Sequence, residues 1–369
     1  MENRNELTLI SVFSGAMGLD LGLERAGFNT KIAIDIDKSA CATIRENRPN
    51  LPIIEGDINK ISAEQILDKA SLKKGEVTLL AGGSPCQSFS TAGRRRAFDD
   101  IRGMVLLRFI ELVEEIQPQY FLLENVRGIL SATIKNRPLG ERGEGFPPLE
   151  EEERHGSVLR YILKRLEETG YKVNYALLNS ADYGVPQTRE RVVFIGCRDS
   201  VPVKLPKATH SKNPKLGQYP WKTFGDVVKE LEGTNHTYKP YGPDRMKYMK
   251  LIPKGGGNWR NLSKEVAMEA MGKAYNSGGG KVGFFRRIWL DKPSPTLLTN
   301  PTHKSTNLGH PLDDRPLSIE EYRAVQEFPI DWIITGGITD QYKQIGNAVP
   351  VGLAYCLGSS ITRHISENK

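Results

Sequence analysis

Through residues 1–197, short apolar runs alternate with helical stretches. Residues 7–13 are β-branched and apolar, as a buried parallel strand requires, and a glycine-bearing turn then leads into a helix over 19–26 closed by Gly27. Residues 31–35 (KIAID) read as a second strand and 39–47 as a helix. Residues 77–81 form a third strand, followed by Gly82-Gly83. Helical periodicity over 104–116 is stopped by Pro118, and 120–123 is a strand that ends at Glu124. An amphipathic helix at 157–168 precedes strands at 171–178 and 192–195. This alternation implies an α/β fold, a doubly wound sheet with helices on both faces. In such sheets ligands bind beyond the carboxyl ends of the strands, so chemistry is expected just past each one.

Past the first strand, Phe13-Ser14-Gly15-Ala16-Met17-Gly18-Leu19 offers close backbone approach and a helix N-terminus. It is not the G-x-G-x-x-G fingerprint, and a structural strand-to-helix turn explains it equally well. Asp35 and Asp37 follow the second strand, about 20 residues past the glycines, where a carboxylate can accept from ribose hydroxyls. Asp57, before Ile58, follows a further short apolar run. Each acid alone could equally be a helix N-cap. Past the third strand comes Gly83-Ser84-Pro85-Cys86-Gln87-Ser88-Phe89-Ser90. A cysteine there faces a cleft, and Arg94, Arg95, Arg96 and Arg102 would favour its thiolate. Cys41, Cys197 and Cys356 read as small buried hydrophobes. Glu124, beside Asn125, could be a proton donor if burial raises its pKa, or a structural acid paired with an arginine. Arg189 and Arg191, at i and i+2 on an extended segment, would share a face and could clamp a phosphate or base, or simply lie on the surface.

With 38% hydrophobic and 26% charged residues, the 369-residue chain is neither disordered nor fibrous. No apolar run approaches the roughly 20 residues of a membrane span, and the N-terminal MENRNELTLISVF lacks the pattern of a signal peptide. The four cysteines lie far apart without a CxxC pair, so no metal site is indicated and a cytoplasmic compartment is expected. The net charge of +7 is unevenly spread. Residues 198–315 hold 21 Lys and Arg against 10 Asp and Glu, a net of +11, whereas the rest hold 30 against 34, a net of −4. That basic segment, dotted with aromatics and glycines, suits a polyanion, although a solvated basic surface would look the same. Residues 132–156, with four consecutive acids at 150–153, read as an exposed, partly mobile loop.

Taken in order, these blocks resemble the DNA cytosine carbon-5 methyltransferases of bacterial restriction-modification systems. The matching segments are 13–22 (FSGAMGLDLG), Asp35, Asp57, Pro85-Cys86-Gln87, Glu124-Asn125-Val126, 187–196 (QTRERVVFIG), 315–329 (RPLSIEEYRAVQEFP) and 344–350 (QIGNAVP). The resemblance implies a Rossmann-like catalytic domain over 1–198 and 316–369, interrupted by a smaller target recognition domain at 199–315. The implied cofactor is S-adenosylmethionine, leaving S-adenosylhomocysteine, with no metal. Its expected contacts are Phe13, Ser14, Gly15, Gly18, Leu19, Asp35, Ile36, Asp57, Ile58, Gly83, Pro85, Asn347, Ala348 and Val349. Met17 stands where glycine is common, Ser84 where Pro or Phe is usual, Asp35 where Glu is usual, and Ile36 where an aromatic often covers the adenine.

The resemblance also implies roles. Cys86 attacks carbon 6 of a cytosine flipped out of duplex DNA. Glu124 hydrogen-bonds nitrogen 3 and the amino group, Arg191 contacts the carbonyl oxygen of the base, and Arg189 helps position it. Gln87, Ser88, Ser90, Arg94, Arg95, Arg96, Thr296 and Leu297 are expected at the DNA, with Thr296-Leu297, which resembles the family's short Thr-Leu signature, near the flipped base and its sugar. Arg245, Lys247, Arg260, Arg286 and Arg287 are candidates for reading bases. The partners implied are duplex DNA and a separately acting restriction endonuclease, with the enzyme a monomer in the nucleoid and no membrane involved. A tRNA cytosine methyltransferase and a non-catalytic DNA-binding module are the competing readings.

Overall fold

The computed structural model describes residues 6–84, 101–199, 201–278 and 280–368, without the side chains of 101–104 and 139. These divide into two compact units, one of 1–179, 190–207 and 354–369, the other of 180–189 and 208–353.

The first unit is built on strands β1 (Leu7–Val12), β2 (Phe28–Asp35), β3 (Ile53–Glu55), β4 (Leu79–Gly83), β5 (Tyr120–Val126), β6 (Lys172–Asn179) and, after the short β7 (Gln187–Thr188) of the second unit, β8 (Glu190–Cys197). Their order across the sheet is β3-β2-β1-β4-β5-β8-β6. Pairing is parallel from β3 to β5, while β8 runs antiparallel to both β5 and β6. The expected α/β sheet is thus present, with one reversed strand. Helices α1 (Gly18–Arg25), α2 (Lys38–Asn47), α3 (Ala63–Ala70), α4 (Ile101–Ile116) and α5 (Ser157–Glu168) connect the strands. Helix α3 was absent from the sequence reading, although Ser62 and Gln65 form a capping box at its start. Ile10, Val12, Ile34, Leu80, Phe121, Leu123, Val192 and Phe194 share one apolar cluster with α3, α4 and α5. The acids at 150–153 are engaged: Glu153 pairs with Arg137 at 2.5 Å, and Lys135 pairs with Glu150 and Glu152.

The second unit contains strands β9 (His210–Ser211), β10 (Tyr219–Pro220) and β11 (Ser294–Pro295) and helices α6 (Phe224–Val228), α7 (Pro243–Met249), α8 (Lys264–Met271), α9 (Ile319–Val325) and α10 (Ile338–Asn347). Helix α11 (Val351–Glu367) begins there and continues in the first unit. The sequence boundaries at 199 and 315 therefore differ from the compact units. Packing is the reason: α9 lies against α6 and α10, and β7 pairs in parallel with β11. So 180–189 and 316–353 join the basic segment rather than the sheet.

Arg287 is the keystone of this unit. Its side chain is fully buried, yet it was a candidate for reading bases. Nε donates to Ile252 O at 3.2 Å, Nη1 to His310 O at 3.1 Å and Asp313 O at 2.5 Å, and Nη2 to Met249 O at 2.8 Å and to the Asp314 carboxylate. Every donor is spent internally, so it reads no base. Arg245 and Arg286 likewise donate to backbone at 302–303 and 307. Arg260 and Lys247 are exposed. Replacing Arg287 with Met strands four carbonyls and one carboxylate, and should cost about 3–5 kcal/mol in urea denaturation. A loss below about 1 kcal/mol would contradict the keystone role.

Candidate active site

The strand order lines up the sequence-singled residues along one edge of the sheet. Strands β3, β2, β1, β4 and β5 bring their carboxyl ends there, carrying Asp57, Asp35, Phe13–Gly15, Gly83 and Glu124 in turn. Because β8 is antiparallel to β5, its amino end reaches the same edge, and Val126 pairs with Arg191. A parallel β8 would have carried Arg191 to the opposite edge.

Glu124 lies inside β5 rather than beyond it, since pairing with β8 continues to Arg191. It stands between Gly83 of β4 and Val193 of β8. Its carboxylate is nearly buried, and Oε1 stands 2.6 Å from Arg191 Nε. The acid is therefore paired with an arginine, and that arginine is the other candidate catalytic residue. Arg191 Nη1 also donates to Glu190 O at 2.7 Å, which fixes the guanidinium plane. Together they set an anionic acceptor beside planar cationic donors, a combination suited to the polar edge of a planar heterocycle. Asn125 Nδ2 donates to Ser84 Oγ at 2.8 Å, tying β5 to the end of β4. Ser84 thus has a holding role that its departure from the family pattern did not suggest. Cys86 follows two residues later. It lies outside the described residues, as do Pro85, Gln87, Ser88, Ser90, Arg94, Arg95 and Arg96.

The turn after β1 is conformationally unusual. Phe13 (φ 57°), Gly15 (φ 52°) and Met17 (φ 67°) are all left-handed, and two of them carry side chains that disfavour this region. Gly82 lets β4 pass closely, for a Cβ there would lie 2.6 Å from Val12 O. Asp35 organises the neighbourhood. Its Oδ2 accepts from Gly15 N and its Oδ1 from Asp37 N, both at 2.8 Å, and its backbone O accepts from Gly56 N at 2.9 Å. Burial raises its pKa, and the N–H groups of Asp37 and Gly15 work against that rise. The N-cap alternative holds for Asp37, which caps α2, and for Asp57, which caps the short turn at 58–60. It does not hold for Asp35. Ile36, directly beyond, is 66% exposed. Ser14, Leu19 and Ile58 are buried. At Gly15 nothing lies within 4 Å of where a Cβ would stand. An apolar platform at Ile36, carboxylates at Asp35 and Asp57, and open space over Gly15 fit a nucleoside-containing cofactor.

Asp20, in the first turn of α1, was missed by sequence reasoning apart from its place in the family block. It is 1% exposed, and neither carboxylate oxygen has a hydrogen-bond partner of normal geometry among the described residues. Burial pushes its pKa up to about 7, opposed by the Ser11 hydroxyl and reinforced by Glu24 and Asp35. The native state then holds a proton that the unfolded chain releases near pH 4. Stability therefore falls as pH rises from 4 to 7, by up to about 4 kcal/mol if this group acted alone. Asp20→Asn should flatten that slope and raise stability at pH 8. Guanidinium denaturation at pH 5 and pH 8 checks this, and equal slopes in both proteins would refute it.

The remaining candidates lie in the second unit. Arg189 is 2% exposed. It donates to Leu297 O at 3.3 Å, Gly346 O at 3.0 Å and Asn347 O at 3.3 Å. These donors go to backbone carbonyls of its own unit. The extended segment breaks between β7 and β8, so strand alternation does not carry across it. Thr296 Oγ1 donates to Thr188 O at 2.9 Å, and Leu297 is buried. Asn347 is exposed, Ala348 half-buried and Val349 buried. Sequence reasoning also missed two buried amides, Gln187 and Gln326, joined at 2.8 Å. They are 139 residues apart, and no local pattern links them.

Comparison with known proteins follows the same residues. The model of the C-5 cytosine-specific DNA methylase family matches residues 7–141 and 148–363. Type II methyltransferase M.Sau96I of Staphylococcus aureus is 37% identical, over 100% of this chain and 78% of its own length. Type II methyltransferase M.Eco47II of Escherichia coli is 34% identical, over 97% of this chain and 79% of its own. Among solved structures, a prophage-encoded DNA modification methyltransferase from E. coli superposes with a TM-score of 0.65 at 24% identity, covering 98% of this chain and 100% of that one. A Spodoptera frugiperda DNMT2 mutant gives 0.61 at 15% identity, covering 96% and 99%. These two likenesses concern the fold.

Proposed function

The chain belongs to the C-5 cytosine-specific DNA methylase family, and we propose that it methylates a cytosine flipped out of a specific duplex DNA sequence, through a covalent bond from Cys86. The observation that carries this reading is the Glu124–Arg191 pair at 2.6 Å, on the sheet edge where β4 ends at Gly83. Bound over Asp35, Ile36 and Gly15, S-adenosylmethionine would supply the methyl group. Phe13, Gly18, Asp57 and Gly83 complete its surroundings in the first unit, and Asn347, Ala348 and Val349 are assigned to the same cofactor.

The Cys86 thiolate adds to carbon 6, which turns carbon 5 into a nucleophile. Glu124 and Arg191 hold the polar edge of the ring, and the charge pushed into it is stabilised there. Once carbon 5 has accepted the methyl group, loss of its proton expels the thiolate and restores the aromatic ring. Arg189 acts at a distance, as a positioning residue. The basic second unit, with Thr296 and Leu297, supplies the DNA-reading surface, and the phosphate contacts are carried by arginines such as Arg94, Arg95 and Arg96. In the cell the enzyme would act in the cytoplasm as a monomer, protecting nucleoid DNA from a partner endonuclease.

The test is transfer of labelled methyl groups to duplex DNA and to tRNA, followed by bisulfite sequencing of the methylated DNA. One sequence context with methyl on carbon 5 is expected. Transfer to tRNA alone would overturn the DNA reading. A duplex with 5-fluorocytosine at the target should trap a denaturant-resistant adduct at Cys86, because fluorine cannot leave as a proton does. Absence of that adduct contradicts covalent catalysis.

A further inference from the structure

Two bridges in the second unit join the Thr296-Leu297 segment to the end of α10. The first is a relay of two side-chain amides, both fully buried. Leu297 N–H donates to Gln187 Oε1 at 2.9 Å. Gln187 Nε2 donates to Gln326 Oε1 at 2.8 Å. Gln326 Nε2 then donates to Ile345 O at 2.6 Å and Ala348 O at 3.0 Å. The second bridge is Arg189, which donates to Leu297 O and to Gly346 O and Asn347 O. Between them Gly346 allows close backbone contact, since a Cβ there would lie 2.6 Å from Leu298 O.

The relay has one direction. Every bond runs donor to acceptor the same way, so each polarises the next. Flipping the Gln326 amide would set its NH2 against the Gln187 NH2, and its oxygen against two carbonyls. A fully satisfied buried network of this kind fixes the separation of the segments it spans, and a shift at one end strains the other.

Resting on the reading that Leu297 stands behind the target nucleotide and residues 347–349 behind the cofactor, we propose that Gln187 and Gln326 are positioning residues that couple the two occupancies. Seating of the nucleotide against the 296–297 segment tightens the cofactor segment, and cofactor binding tightens the hold on the nucleotide by the same factor.

The measurement is calorimetric binding of S-adenosylhomocysteine, with and without the duplex identified by bisulfite sequencing. In the native protein the duplex should tighten binding by a factor within the usual range of about 5–150. Gln326→Glu keeps the shape and the acceptor for Gln187 but presents oxygens to two carbonyls. In this variant the factor should fall to about one, while S-adenosylhomocysteine binding alone changes far less. Gln187→Glu, which keeps the Leu297 acceptor but loses the donor to Gln326, should do the same. Thermal melts accompany both variants. A native factor of one overturns the proposal. So does an unchanged factor in variants whose two affinities fall together, or failure of both variants to fold, each being the mark of a purely structural bridge. If the native protein bound neither ligand, the methyltransferase reading itself would have failed, which is a distinct result.

Discussion

Cys86→Ser is expected to lower methyl transfer to duplex DNA by roughly four orders of magnitude or more, the scale seen when a covalent nucleophile is lost. The physical reason is the attacking group. A free thiol ionises near pH 8.5, so an appreciable thiolate fraction exists at neutral pH, whereas a serine hydroxyl supplies almost none. Attack on carbon 6 comes first, and without it carbon 5 of an aromatic pyrimidine has little nucleophilicity. The substitution removes no charge from Asp35 or Asp57 and leaves Gly15 and Ile36 untouched. Binding of S-adenosylhomocysteine should therefore be retained, and duplex binding should change little. The 5-fluorocytosine adduct should vanish with the activity. Single-turnover transfer separates the cases: a variant that transfers methyl at the native rate would exclude a covalent route, and one that no longer binds the cofactor would point to a structural role for the thiol.

Much of this site was legible because of where the chemistry sits. Short apolar runs mark the strands, and the sequence just past four of them supplied Phe13–Gly15, Asp35, Asp57 and Glu124, which the sheet order then places in a row, while Arg191 was read from the segment before the 192–195 run. The reversal of β8 was not legible, because a run such as 192–195 has no direction written into its hydrophobicity. Yet that reversal brings Arg191 to Glu124. Arginine roles were the least readable. Arg287, Arg245 and Arg189 look like surface cations in the chain, but their donors go to carbonyls up to 158 residues away. An arginine's fork of donors satisfies backbone as readily as phosphate, so residue type alone does not separate the uses. Asp20 illustrates the converse, a charged residue type in a position that takes no charge easily.

Glu124→Gln should lower kcat by about 10²–10³ with a much smaller change in KM for DNA. The amide keeps the shape of the side chain but removes the negative charge that faces Arg191 at 2.6 Å. If Glu124 and Arg191 stabilise charge that develops in the ring only as Cys86 attacks, their effect belongs to the transition state and appears in kcat. Arg191→Lys should act similarly, since an ammonium cannot reproduce the planar fork held by Glu190 O. The two losses should not add. Each group orients the other, so the double variant should be only a little worse than the poorer single one. Urea denaturation must run alongside, because removing one partner leaves the other nearly buried and unpaired, at a cost of about 3–5 kcal/mol in the most enclosed cases. Activity is then compared at a temperature where all variants are folded. Additive losses would mean that the carboxylate and guanidinium act on separate steps. A raised KM with unchanged kcat would make the pair a holder of DNA, and the assignment of Glu124 to the reacting ring would fall.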